Sequence, residues 1–367
     1  MMRALAVLLP LFLLLLLPLP SLAVEGPTEY LDELAEGLPP LFRDALPEAP
    51  TDREALAEAV GVRHLFEVAL AGFGEASPLA LETLFTVLGL TLLFSLLGGM
   101  REHLGAGVAK AADAALGATL VLLLYERLSG VFLRAAAYLE DLGTLAKVSA
   151  PVMGGLWLAG GNTASAAVGG GGMAALSLLL ETLCGEALLP LLRVMLGFLL
   201  VSAIGEVRTE GMAATVRNLY LTVMGFFSVL VMAAQALGNA LGTAGDSFSL
   251  RTMRFALGQM VPVVGGTVSG SLGTAMAAVA LVRSTAGATV AAAILLPLLP
   301  LAAELILVRL TLSLSASLAG MLGAPLPVRL LRGFRSLLDL VLAAVALAGL
   351  LFLFIAATFA RTLPALL

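Results

Sequence analysis

At 367 residues, the chain is 60% hydrophobic and only 12% charged, with a mean hydropathy of +1.05. Ordinary globular chains carry about 25% charged residues, so a soluble fold is excluded and the bilayer must solvate most of the chain. The net charge of -5 is uneven, with acids crowded before about residue 82 and arginines near later segment ends. No basic patch with interleaved aromatics appears, which argues against a nucleic-acid partner.

Residues 1–23 read as a secretory signal peptide. A basic start (Arg3), a leucine-rich run and the small-residue exit Ser21-Leu22-Ala23 fit the pattern, and Pro18 and Pro20 break the helix just before the cut. The alternative is an uncleaved first membrane helix. Residues 24–76 turn polar, with Pro39, Pro40, Pro47 and Pro50 and many acids. The capping-box spacing of Thr51 to Glu54 predicts an amphipathic helix running to about Ala71. Once the signal is cut, this small extracytoplasmic arm sits across the membrane from the cytoplasm, as a docking arm or a membrane-surface helix.

From 77 to 367 the chain reads as a multi-span membrane domain. A hydrocarbon core of about 30 Å needs about 20 apolar helical residues, and six segments qualify: 79–100, 113–126, 187–205, 217–237, 287–311 and 337–360. Charged stretches at 101–110, 208–217 and 329–335 separate them. Placing all three on the cytoplasmic side gives a topology consistent with the positive-inside bias, although Arg127, Arg134, Arg251 and Arg254 then lie opposite.

Two further regions, 148–184 and 259–284, are apolar but glycine-rich, and they resemble each other. Residues 150–168 align without gaps on 261–279, sharing Pro151/Pro262, Gly154/Gly265, Gly155/Gly266 and Thr163/Thr274, and LLPLL recurs at Leu188–Leu192 and Leu295–Leu299. These anchor internal repeats at 148–206 and 259–318. Proline followed by paired glycines breaks a helix, and broken backbone survives in a membrane only inside protein or beside a wet cavity. Paired interruptions in two repeats point to a transport site. The expected fold is therefore an all-α polytopic integral membrane protein with two glycine-rich broken-helix or re-entrant repeats. The competing reading is that glycine and alanine simply allow close helix packing, and both can hold. Parallel and inverted repeats stay equally open.

Chemistry is sparse. The two histidines, His64 and His103, lie outside the apolar spans, and Cys184 is a lone thiol within one. No CxxC, HExxH, GxSxG or GxxxxGK[ST] occurs, so metal hydrolysis, elbow-serine chemistry and ATP hydrolysis lack their signatures. Neither an enzyme nor a cofactor is expected. The stronger lead is charge within apolar stretches, since each such group costs a few kcal/mol at the bilayer centre. Glu82, Glu181, Glu186, Arg193, Glu304 and Arg309 are of this kind. Glu186 and Arg193 share a helix face; Glu304 and Arg309 do not. They line an aqueous path, bind partner subunits, or snorkel to the interface. Asn162 and Gln259, beside the glycine stretches, are placed to satisfy opened backbone.

The stretch Ser249 to Ser269, with Arg251-Thr252, Arg254-Phe255-Ala256, Pro262-Val263-Val264-Gly265-Gly266 and a closing serine, resembles the stage III sporulation protein AE family of endospore-forming bacteria. The region Pro151 to Ala167, containing Gly160-Gly161-Asn162-Thr163, is similar to that family's other glycine-rich region. The resemblance spans roughly 80–360 and is specific in these two stretches; the polar arm is shorter than usual for the family. It implies a membrane subunit of the complex connecting mother cell and forespore, seated in the outer forespore membrane. The partners it implies are ring-forming sister subunits and an ATPase subunit; membrane lipids and further copies of the chain complete the expected partners. No catalytic residues carry over, and Arg251, Arg254, Pro262, Gly265 and Gly266 become candidate structural or channel residues. A self-sufficient secondary transporter and a non-conducting scaffold are the alternatives.

Overall fold

The computed structural model describes residues 34, 36–47, 53–100, 103, 105–159, 163–204, 210–260 and 265–361, with backbone alone over 245–284. The signal-peptide segment lies outside these residues. Two short helices, α1 (Pro40–Ala45) and α2 (Arg53–Ala59), precede the long ones. These are α3 (Val62–Met100), α4 (Ala106–Ala159), α5 (Thr163–Leu179), α6 (Leu188–Ile204), α7 (Glu210–Met260), α8 (Gly265–Met321) and α9 (Pro325–Arg361), with a π-helical stretch, Leu180–Ala187, joining α5 to α6. No strand occurs among the described residues.

Among the described residues, six segments are long and apolar enough to cross a membrane: Val62–Met100, Gly107–Leu158, Ala164–Ile204, Gly211–Gly242, Thr285–Met321 and Pro325–Phe359. This is an all-α polytopic membrane protein. Each sequence-predicted span falls inside one of these segments to within a residue at its ends, but the helices are much longer than the apolar runs. The 54 residues of α4 rise about 80 Å, far beyond a hydrocarbon core of about 30 Å, so part of the bundle stands outside it.

Contacts between helices fix their directions. Arg134 of α4 meets Glu304 of α8, while further along α4 Tyr138 reaches back to Ile294; the two run antiparallel. In the same way Gly172, Val168 and Ser165 of α5 meet Gln235, Gly238 and Gly242 of α7. Gly72 of α3 lies on Pro300 of α8 and Ser95 on Leu322, so α3 and α8 run parallel. Thus α3, α5–α6 and α8 point one way and α4, α7 and α9 the other. The core follows α8 and α9, where Leu305, Val308, Leu338, Val341, Ala344 and Phe352 are fully enclosed.

Within the predicted arm, α3 starts at Val62 and continues through Pro78 without a break. The described arm residues lie against the bundle: Phe42 stacks edge-on against Tyr138 at 5.8 Å, and Leu34, Leu38 and Leu56 are buried. Gly37 is tight on Val148.

Candidate functional site

The intramembrane charges are tied together across helices. On α4, Arg127 pairs with Glu82 of α3, and Arg134 pairs with Glu304 of α8, its Nε donating to Oε2 at 3.1 Å. On α8, Arg309 pairs with Asp339 of α9. Arg217 of α7 approaches the same carboxylate at 4.0 Å and donates to the Ser336 hydroxyl at 2.9 Å. Glu304 and Arg309 are separated by about 7 Å along α8, and Arg127 and Arg134 by about 10 Å along α4. Five helices therefore share one band of ion pairs. Such pairing is what makes charge tolerable within an apolar bundle.

No local motif in the sequence marks Arg127, Arg134, Arg217 or Asp339 as site residues. The spacing of Glu304 and Arg309 correctly rules out a pair between them, but their true partners, Arg134 and Asp339, are separated from them by long stretches of chain. The only available signal was that each sits inside an apolar run or at its edge.

Glu186 and Arg193 are exposed, and neither makes an ion pair or side-chain hydrogen bond with a described residue. Glu181 pairs with Lys147 of α4 at 3.0 Å. Glu181, Cys184 and Glu186 all belong to the π-helical stretch. A π turn takes one carbonyl out of the α-helical register, and here the Tyr220 hydroxyl donates to the Leu183 carbonyl at 2.8 Å. That bond fastens the irregular backbone to α7.

The glycine regions form close helix seams. Gly238 lies against Val168 and Gly242 against the Ser165 backbone, while Gly169 sits under the Trp157 ring and Gly172 under the Gln235 amide. The ring of Trp157 is edge-on to Phe359 at 4.9 Å. Gln235 is 2% exposed and, among the described residues, both its amide atoms lack a hydrogen-bond partner, as do the buried hydroxyls of Ser149 and Ser228.

The expected helix break at Pro151 is not found. α4 runs through Pro151, Gly154 and Gly155 to Ala159. Buried Val152, Met153, Leu156 and Trp157 hold the turns after the proline, offsetting the roughly 3 kcal/mol a mid-helix proline costs. The change of direction falls between Ala159 and Thr163; Asn162 lies outside the described residues. Pro262 lies outside them too, between α7 and α8. Gly265 and Gly266 open α8, and Arg251, Arg254 and Gln259 lie on the last turns of α7, where only backbone is described. The first matching stretch covers the end of α4 and the start of α5, whereas the second, where described, lies at the start of α8. Aligned residues 154–159 of α4 and 265–270 of α8 lie on antiparallel helices, whereas 163–168 of α5 and 274–279 of α8 lie on parallel ones. Among the described residues, no group of three His, Cys, Asp or Glu side chains converges on a metal-sized site.

The structure defines a polytopic α-helical membrane protein whose spans are cross-linked by a band of ion pairs and by glycine seams. Residues 58–362 match the family model of stage III sporulation protein AE. The chain belongs to that family, a sporulation membrane-protein family and not a known enzyme family. Neither the curated proteins nor the solved structures contain a match.

Proposed function

We propose that this chain is the channel or export-gate-like membrane subunit of a multi-protein complex that links mother cell and forespore across their membranes during sporulation. Family membership supplies the sporulation role. The observation that carries the finer reading is the ionic band joining α3, α4, α7, α8 and α9. It encloses the Arg309–Asp339 pair within the bundle and ties Arg127–Glu82 and Arg134–Glu304 across helices nearer its surface, while the Gln235 amide is buried separately between α5 and α7; a passive anchor needs none of these.

In this reading the connections after α3, α6 and α8 face the cytoplasm of the mother cell, following the arginines at 101, 208, 329 and 332. The N-terminal arm and both glycine connections then face the space between the two membranes, where sister subunits dock.

The test uses sporulating cells in which the native gene is replaced by single-cysteine variants on a Cys184→Ser background. A thiol placed at Gln235 is modified by a small impermeant reagent, and passage of a small tracer between the cells is followed. Modification with loss of passage supports conduction through the bundle. Normal tracer passage in cells lacking the chain overturns the proposal.

A non-conducting scaffold is the second reading, favoured by the tight contacts of Gly238 on Val168 and Gly242 on Ser165. It predicts a Gln235 thiol that never reacts.

A further inference from the structure

The band of ion pairs leaves out two charges that lie level with it along the helices. Gly117 of α4 touches the Ala203 carbonyl of α6, where a Cβ would stand 3.1 Å from the oxygen. Lower down, Lys147 of α4 pairs with Glu181, so the two helices run antiparallel. Moving from 117 to 127 on α4 and from 203 to 193 on α6 covers the same depth, about 15 Å. Arg193 is therefore level with Arg127 and its neighbour Glu126. Glu126 and Arg193 are both exposed, and neither has an ion pair or side-chain hydrogen bond with a described residue.

Both point away from the core on adjacent helices. Around them the same outer face carries exposed Leu122, Tyr125, Val194 and Val201. Two opposite, uncompensated charges on an apolar membrane face are costly against lipid. Within one chain the two form no ion pair with each other, and each faces outward.

We infer that this α4–α6 face is a two-fold interface between copies of the chain, in which Glu126 of one copy pairs with Arg193 of the other. A two-fold axis along the membrane normal preserves depth. It brings α4 of one copy against α6 of its partner, so the pair forms twice, which is the self-complementarity an isologous contact requires. A partner of unrelated sequence would need its own acid and base in the mirrored order, whereas a second copy supplies both. This holds whether or not the bundle conducts.

The test is made with the full chain in membranes of a host that has no sister subunits. Two differently tagged Cys184→Ser copies are co-expressed, one with Glu126→Cys and one with Arg193→Cys, and treated with a short thiol cross-linker. Mixed-tag dimers in excess over either same-site combination are expected. Glu126→Arg lowers the dimer fraction about tenfold, in line with membrane interhelix polar contacts of about 1–2 kcal/mol, and the swap Glu126→Arg with Arg193→Glu restores it. Should the reversal compromise folding, Glu126→Gln gives the milder loss. Mixed-tag product no greater than the same-site controls overturns the inference. So does a monomeric chain, or a dimer indifferent to the reversal; the face then belongs to another subunit or to lipid.

Discussion

Arg309 of α8 and Arg217 of α7 converge on one carboxylate, Asp339 of α9, with Arg309 paired directly and Arg217 at 4.0 Å. The Asp339 side chain is only 10% exposed, and two cations depend on it. Removing one partner of a buried pair leaves uncompensated charge and costs about 3 kcal/mol or more. Asp339→Asn is accordingly expected to lower the unfolding midpoint of the purified protein sharply. Arg63→Gln removes a pair whose arginine is 93% exposed and should leave the midpoint unchanged. Thermal unfolding in detergent compares the two; equal effects would contradict the central role of Asp339.

The four-glycine run Gly169–Gly172 offers a sharper contrast. A Cβ at Gly169 would fall 1.8 Å from the Trp157 ring, whereas one at Gly170 meets nothing within 4 Å. Overpacking of this kind costs about 1–3 kcal/mol, while a glycine changed to alanine in an open helical position gains up to about 1 kcal/mol. Gly169→Ala should therefore destabilise and Gly170→Ala should not, as read by the same melts. Opposite signs at adjacent glycines are not expected if the run is a flexible hinge.

The six spans were legible because length and apolarity are properties of a local window, and each predicted run lies within a helix to within a residue at its ends. The start of α3 was not. Its first turns carry Arg63 and Glu67, an i,i+4 pair at 3.0 Å, and read as a polar amphipathic segment with Pro78 ahead of it. Charge pairing was hidden for a different reason. Glu304 gives no local sign of Arg134, and only the antiparallel register of α4 and α8 brings them together. Pro151 misled because its local preference was overridden by the packing of Val152 to Trp157, a tertiary effect.

Gln235 combines deep burial with an amide that has no partner among the described residues, next to Gly172, where a Cβ would clash with its oxygen. An unsatisfied buried polar group costs about 1–3 kcal/mol. Replacing it with an apolar group of similar size removes that cost, so Gln235→Leu should raise the melting midpoint by several degrees. If the amide serves an opened state of the α5–α7 seam, the same variant should lower sporulation efficiency despite its greater stability. A variant that is both less stable and less active would show the amide to be satisfied in the resting protein.

Helix direction makes a prediction about sidedness. α4 and α7 run parallel, so the connections at 160–162 and 261–264 leave from the same end of the bundle. The connections after α3, α6 and α8 leave from the other. On a Cys184→Ser background, thiols at Asn162 and Val263 should react with an impermeant reagent from one side of the membrane. A thiol at Arg332, near the opposite end and exposed, should react only from the other. Labelling of intact cells, then of permeabilised cells, reads this directly. Asn162 and Val263 reacting on opposite sides would require an odd number of crossings between them. That outcome would remove one of the spans between them and turn the two glycine stretches into inverted repeats, the arrangement in which paired interruptions commonly frame a transporter's binding site.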